Sequence, residues 1–441
     1  MYSYKTIFIT IVALLTSTAI VTAQTQQSDD LSSGGSFYSA FGFGTPADPV
    51  NSYSMGMGLT GVSNFSGFSP SIANPAHWGM IEYTQGNVAI GLQNFDATDN
   101  FGEATNSLFG IERFQFVVPL LRRELGLSVS FSPVSRSDFQ LIEQSEFSAI
   151  PDFSDELVEY GVRTTGTGGV NKFEAGLGYR FSNYLSVGYG FSVNLLSLNE
   201  SVEPVFSDQQ FRPANFSREA EGYGFGHRFG VHTFINSLFN ERDQLALGAS
   251  ISIPTQIDTE QSISAFRQVE GRRTLVQLNE NSPNRNGTVK LPLEFNVGIT
   301  YNLNQRFNVV AEYQHQDWSN AEFSFNSTHE GYFKDRTKTG IGFQYHPYRT
   351  EQRGGFFSNF RYSLGTTYDN GHLAIDGEDI ETLFLNAGLG IISQRSASSI
   401  DLSFHYGIRG TTSSNLVKED IWGVSLSLNL AEYMFIRRMF N

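Results

Sequence analysis

The sequence predicts an all-β protein: a transmembrane antiparallel β-barrel of about fourteen strands, with an N-terminal hatch plugged into its lumen. Three observations point there. Apolar residues alternate with small or polar ones over long runs, as in Leu185–Leu195. Only 17% of the 441 residues are charged, whereas glycine contributes 43 and phenylalanine 39. The linkers between alternating runs are by turns short and long.

Composition excludes several classes. With no cysteine there is no disulfide scaffold and no thiolate metal site. Lys and Arg total 29 against 44 Asp and Glu, so the chain is a poor match for nucleic-acid phosphates. Aromatic residues at 14% argue against disorder.

Residues 1–23 read as an export signal. Lys5 precedes a mostly apolar stretch, Ile7 to Val21, and Val21-Thr22-Ala23 is a small-residue cleavage site before Gln24. The alternative, a membrane anchor, needs a longer apolar run. No cysteine follows the site, so no lipid anchor is expected there. No later stretch approaches the roughly 20 apolar residues of a spanning helix.

Period-two alternation defines the strands. Leu185, Val187, Tyr189, Phe191, Val193 and Leu195 fall on one face, and Ser186, Gly188, Gly190, Ser192 and Asn194 on the other. The same pattern recurs in Leu125–Phe131, Leu293–Tyr301 and Ile400–Ile408. Sandwich strands average about five or six residues, but spanning strands need about nine to eleven, and these runs mostly reach the longer value. Fourteen segments are expected: 84–95, 107–118, 124–135, 168–181, 185–201, 217–235, 243–256, 287–302, 307–319, 332–346, 357–369, 380–393, 398–410 and 417–430. Short connections, such as Ser182 to Tyr184, alternate with long ones, Arg136 to Thr167 and Ile257 to Asn286. Short periplasmic turns and longer external loops characterise bacterial outer-membrane barrels. An even strand count places both chain ends in the periplasm. Glu156 to Thr164 and Ser262 to Leu278 are readable as short strands and are assigned to the long external loops.

Residues 24–83 form the expected hatch, 84–430 the barrel and 431–441 a periplasmic tail. Met55 to Trp78 carries no Asp, Glu, Lys or Arg and is rich in Gly, Ser and aromatics. The small residues on the inner strand faces leave room for such a plug.

Several residues resemble the FadL-type outer-membrane transporters of long-chain fatty acids and other hydrophobic compounds. The Gly-rich stretch leading to Asn74-Pro75-Ala76 is similar to that family's hatch. Leu291-Pro292-Leu293, with Gly298 and Tyr301, is similar to one of its strands, and Trp318-Ser319, Lys334-Asp335-Arg336-Thr337, Gly340, Tyr345, Arg361, Gly365, Tyr368 and Asp369 follow in matching order. The resemblance implies a fourteen-stranded barrel with a lumenal hatch. It implies capture of ligand by external loops, passage to an inner apolar pocket and exit through a kinked strand into the bilayer. The polar lead of the hatch and the tail beyond the last strand, Arg437-Arg438 included, resemble a branch that includes the shuttle protein of type IX secretion.

The expected function is passive uptake of hydrophobic small molecules, such as long-chain fatty acids, by a monomer in outer-membrane lipid. The alternatives are protein secretion or surface assembly on the same barrel, and a general porin. Phe65, Phe68 and Trp78 are candidates for the apolar wall of a ligand site, Asn74 in the hatch is a further ligand-binding candidate, and Lys338 and Arg361 are candidates for anchoring a carboxylate. The alternation also points Arg180, Arg228 and Arg409 at the lumen, with Glu174, Glu294, Glu312 and Asp401. Phe139, Phe147, Ile150, Phe153 and Leu157 form an aromatic cluster in the first long loop. Tyr179, Tyr301, Tyr313, Trp318, Tyr345, Tyr362, Tyr368 and Trp422 suit interface belts. No nucleophile-elbow pattern is present, and no enzyme activity, cofactor or nucleic-acid partner is expected. His227 and His232 lie on opposite faces of one strand. Asp376-Gly377-Glu378-Asp379 is a solvated loop tip in preference to a calcium site.

Overall fold

The computed structural model describes residues 34–67, 69–148, 157–206, 215–269, 272–279, 285–304, 306–324, 332–347, 356–393 and 398–432. The expected export signal, Phe68, the tip of the first long loop and Arg437-Arg438 lie outside them.

The alternating segments pair side by side into one closed antiparallel sheet of fourteen strands. They are β1 (Thr84–Thr98), β2 (Glu103–Leu121), β3 (Leu125–Arg136, continued by Phe139–Ser148), β4 (Leu157–Arg180), β5 (Leu185–Phe206) and β6 (Asn215–Asn236). Next come β7 (Gln244–Ser252 and Thr255–Val269), β8 (Arg272–Gln277, Asn286–Leu291 and Glu294–Leu303) and β9 (Phe307–Gln316 and Glu322–Phe323). The wall ends with β10 (Arg336–Tyr345), β11 (Phe360–Asp369), β12 (Thr382–Ile392), β13 (Ser399–Arg409) and β14 (Lys418–Glu432). β14 pairs back onto β1 from Thr84–Glu432 to Thr98–Lys418, which closes the cylinder and leaves no free edge at the seam.

The side-chain period decides what each face meets. Outward positions such as Tyr189, Phe191, Phe225, Phe229, Leu402 and Phe404 are exposed. Inward ones such as Ser128, Ser192, Asn194 and Ser427 are buried. An apolar exterior over a polar interior belongs in a bilayer, and the protein is a bacterial outer-membrane barrel. Among the described residues no helix is long and apolar enough to cross a membrane; the strands cross it.

Three expectations change. Among the described residues of these two segments, 157–164 belong to β4, and 262–269 and 272–277 extend β7 and β8. The reason lies on the outer face. Above Leu195 and Tyr223 the outward residues become Ser197, Asn199, Glu219 and Glu221, so the strands leave the hydrocarbon and continue through water. β3 to β8 therefore stand taller than β10 to β13. Second, Trp318 is no belt residue. It is buried inside the upper lumen. Third, Arg180 donates to the Ser182 and Asn183 carbonyls and braces a periplasmic turn instead of facing the lumen.

The described residues between 34 and 83 fill the cylinder. Gly35 lies at the external rim, where its carbonyl accepts from Asn106. Thr45-Pro46 adds a two-residue strand to β3. Ser52 and Tyr53 reach the periplasmic end beside Asn87, Asn308 and Gln344. A 3-10 turn, Pro75–Met80, then leads out to β1.

Candidate functional site

The periplasmic half of the hatch rests in a cradle of glycines. Asn74 caps the turn Pro75–Met80 by accepting from the Ala76 N–H, and its amide donates to the Val62 and Val231 carbonyls. A Cβ at Gly126, Gly178, Gly188 or Gly230 would collide with Trp78, Gly79, Pro75 or Asn74 respectively. Small inward residues on β3 to β6 thus admit hatch backbone, not ligand. Trp78 is fully buried, and its indole donates to the Ser71 carbonyl at 3.1 Å. Phe65 is half-buried against the His77 ring at 5.3 Å. Glu312 on β9 accepts from the Thr60 and Val62 N–H groups, so it serves hatch backbone as well.

Burial, reinforced by the His232 ring 4.7 Å away, holds the His77 imidazole well below its ordinary value of 6.5. Such a group contributes stability in full above the unfolded value, and loses it as pH falls towards the folded one. Hatch docking is expected to weaken as pH drops below 6.5. His77→Gln is expected to flatten that dependence, as read by protease access to the hatch at neutral and acidic pH. No change in access between the two would refute it.

The middle of the hatch is held by charge. Asp48 meets Arg336 at 2.8 Å and Lys338 at 2.9 Å, and Arg336 also meets Asp369 at 2.6 Å. Burial would raise the Asp48 carboxyl, but the two cations overcome it and hold the group well below the usual carboxylate range. Arg361 pairs with Asp401 and lies over the Tyr53 ring at 4.3 Å. The two expected carboxylate anchors are therefore both ion-paired, and they sit towards opposite ends of the lumen. Arg228 and Lys172 are tied to Glu174 in the same way. A chamber of about 260 Å³ lies between hatch and wall, lined by Asp48, Glu112, Arg113, Lys338, His405 and Arg409 among others. Its lining is mixed: Phe95, Leu108, Phe384 and Ile421 stand among the polar and charged groups.

An apolar cluster lies near the external mouth. Phe43 of the hatch is buried among Val170, Leu196, Ile257, Leu291, Trp318 and Phe323. Its ring stacks on Trp318 with centroids 5.0 Å apart. Sequence reasoning missed Phe43; the one available signal was its place between two glycines. Phe139 is also buried near this level, whereas the rest of the predicted loop cluster lies outside the described side chains.

Beside this site the wall is interrupted on three neighbouring strands at one height. The breaks are Ile253-Pro254 in β7, Pro292-Leu293 in β8, and Asp317 to Ala321 in β9, where the chain turns as a 3-10 helix. Proline has no N–H for the ladder, which accounts for two of the three. A cavity of about 60 Å³ lies against the breaks, lined by Phe43, Ile253, Leu291, Pro292 and Trp318 as well as Lys172 and Arg228.

Other candidates resolve without a ligand. His227 faces outward and meets Tyr189, while His232 faces the lumen. Asp376 and Gly377 have φ of 51° and 84° and turn a tight hairpin between Ala374–Ile375 and Glu378–Asp379. Asp379 pairs with Lys334 at 2.6 Å.

A family model described as BamG matches residues 4–441. The chain belongs to the BamG family. No curated protein matches it. Solved structures do match this BamG-family barrel. A FadL homologue of Pseudomonas aeruginosa is 14% identical, with a TM-score of 0.52, over 89% of this chain and 99% of its own. The toluene transporter TodX of Pseudomonas putida is 15% identical, with a TM-score of 0.52, over 88% and 98%. The Ralstonia pickettii toluene transporter TbuX is 14% identical, with a TM-score of 0.50, over 92% and 100%. At such identities the likeness establishes the fold, which is of the FadL type.

Proposed function

We propose that this barrel is a monomeric outer-membrane channel for passive uptake of hydrophobic small molecules. The observation that carries the reading is the apolar site around Phe43 lying against the interrupted wall. A ligand reaching the external mouth meets aromatic and aliphatic side chains there, displaces the upper hatch, and leaves sideways between β7 and β9 into lipid. A sideways route keeps an apolar molecule out of the polar lumen, where burying it against Ser, Asn and ion pairs gains nothing. The toluene transporters and the FadL homologue that share the fold support the reading by analogy.

Liposomes carrying the protein are expected to take up labelled fatty acid or toluene faster than protein-free liposomes. Asn74→Ala removes the cap of the Pro75–Met80 turn, its bond to the Val62 carbonyl within the hatch and its bond to the Val231 carbonyl on the wall, at a cost of about 1–2 kcal/mol, and is expected to speed uptake. Uptake equal to protein-free liposomes would reject the channel.

The tall half-wall favours a second reading, a role in secretion or surface assembly. Its outward face above the bilayer carries exposed Glu219, Glu221, Asp258 and Glu260, a surface for a protein partner. Capture of a defined envelope protein by the intact barrel, lost when these four residues are neutralised, separates the two readings. A general porin would conduct small ions steadily, which the packed hatch opposes.

A further inference from the structure

We propose that the small cavity behind the interrupted wall is a binding site for a zwitterionic head, an ammonium and a carboxylate carried on one carbon as in an α-amino acid. The proposal goes beyond the channel reading and does not depend on it.

Two features set this cavity of about 60 Å³ apart. Its lining comes from both faces of the wall. Lys172 and Glu174 on β4 and Arg228 on β6 face the lumen, whereas His227 on β6 and Ile253 at the β7 break are exposed on the outer face. The space therefore runs into the wall at the break. It is also made by missing side chains. A Cβ on Gly226 would stand 2.7 to 2.9 Å from Ser192, Asn194 and Thr255, and one on Gly190 would strike the Glu174 carboxylate. Both glycines lie within strands, and neither has a positive φ, so the backbone does not require them. What they supply is room.

The charges around this room are held loosely. Lys172 Nζ is 3.6 Å and Arg228 Nη1 3.8 Å from Glu174 Oε2, and Arg228 Nη2 is 4.0 Å from Glu294 Oε1. Direct charge-assisted N–H···O bonds run at about 2.7–2.9 Å, and the Asp48 pairs do so. Two members of the cluster are satisfied in other ways. Arg228 donates to Ser252 at 2.9 Å and to the Ile72 carbonyl at 3.0 Å. Glu294 accepts from Asn296 at 2.8 Å and from Gln316 at 3.0 Å. The other two are not. Glu174 is 2% exposed, and its Oε1 has no hydrogen-bond partner among the described residues. The Lys172 ammonium, a donor only, has the long Glu174 contact.

A buried acceptor and a buried donor short of partners cost stability. One guest that brings a donor and an acceptor satisfies both. Charge selects the guest further. Lys172 and Arg228 balance Glu174 and Glu294, so a lone ion would leave a net charge buried and a zwitterion would not. Size selects it too. A water-sized group needs about 10–15 Å³ of such space, so the cavity takes roughly four to six of them. Glycine is a molecule of that size. Its carboxylate meets Lys172, and its ammonium meets Glu174 Oε1 beside Ser192, Asn194 and Thr255. Two sources carry the same head: a free amino acid in the lumen, and a lipid with a serine head that enters from the bilayer past His227 and Ile253.

The test follows labelled glycine by equilibrium dialysis against the intact barrel in detergent, and phosphatidylserine by native mass spectrometry of the same barrel. Saturable glycine binding is expected, with Kd between about 10 µM and 1 mM. Acetate and methylammonium, each of one sign, are expected to compete about tenfold or more weakly. Lys172→Met and Glu174→Gln should each weaken binding about tenfold or more. Glycine binding supports the proposal and names the lumenal source. Phosphatidylserine binding alone, reduced in the same variants, supports it and names the lipid. Binding of neither overturns it. So does competition by acetate or methylammonium equal to that by glycine, or binding that both charge variants leave unchanged. Should those variants fail to fold, Gly226→Ala replaces them. It fills the room without touching a charge, and the atoms nearest its Cβ are side-chain atoms. Binding is expected to fall about tenfold or more, and undiminished binding overturns the proposal.

Discussion

Asp48→Asn is expected to free the upper hatch and open the barrel to ions. The side chains of Asp48 and Arg336 are 8% and 6% exposed, so solvent screens their interaction little. Asparagine keeps the shape and removes the charge. Arg336 then keeps Asp369, while the Lys338 ammonium loses its nearest carboxylate. Breaking a buried pair by removing one partner costs about 3–5 kcal/mol, because a charge stays behind in low dielectric. A loss of that size is equivalent to several net hydrogen bonds at about 1 kcal/mol each. Planar-bilayer conductance should rise and the hatch should become sensitive to protease, while the barrel keeps its heat-resistant mobility on gels. Restored closure in the double variant Asp48→Asn, Lys338→Met would trace the defect to the stranded ammonium. Unchanged conductance in the single variant would show that the hatch is secured elsewhere.

Gly188→Val is expected to do comparable damage at the other end. A Cβ there would strike the Pro75 carbonyl carbon and oxygen, which are backbone atoms and cannot swing aside. Ordinary overpacking costs about 1–3 kcal/mol because side chains give way. Here either the Pro75–Met80 turn leaves its cradle or β5 shifts against its neighbours, and the loss should exceed that range. Gly86→Ala is the control. It is also a strand glycine, but the nearest atom to its added Cβ is the Phe116 ring at 3.9 Å, an ordinary contact. Conductance and thermal unfolding should separate the two variants clearly. Equal behaviour would mean that the glycine cradle is not what seats the turn.

The wall was readable because strand geometry imposes period two, and a bilayer outside with a plug inside makes the two faces chemically opposite. All fourteen segments expected from alternation overlap a barrel strand. Their upper limits were not readable. Once β4 to β7 leave the hydrocarbon, both faces become mixed, and residues such as Glu219 and Ser262 carry no alternating signal. Trp318 looked like a belt residue because its position near a strand end is shared by both fates; only the 3-10 turn at Asp317 to Ala321 turns it inward. Lys338 and Arg361 read as carboxylate anchors, and their partners, Asp48 and Asp401, are distant in sequence. Phe43 was hidden in a Phe-Gly-Phe-Gly run that resembles a loop. The cap at Asn74 was not read from the sequence, although Asn-Pro favours a turn.

One arrangement constrains how the molecule is made. The Tyr38 hydroxyl donates to the Val417 carbonyl, a partner 379 residues later in the chain. Asp48 needs Arg336, and Ser52 meets Ser427. The first part of the chain to be translated is thus completed by the last. Once β14 has zipped onto β1, the cork cannot be threaded into a sealed bottle. Biogenesis must hold the early segment inside a half-built cup until the final staves arrive, and a cell that hurries the closing step would release an empty, leaking pore.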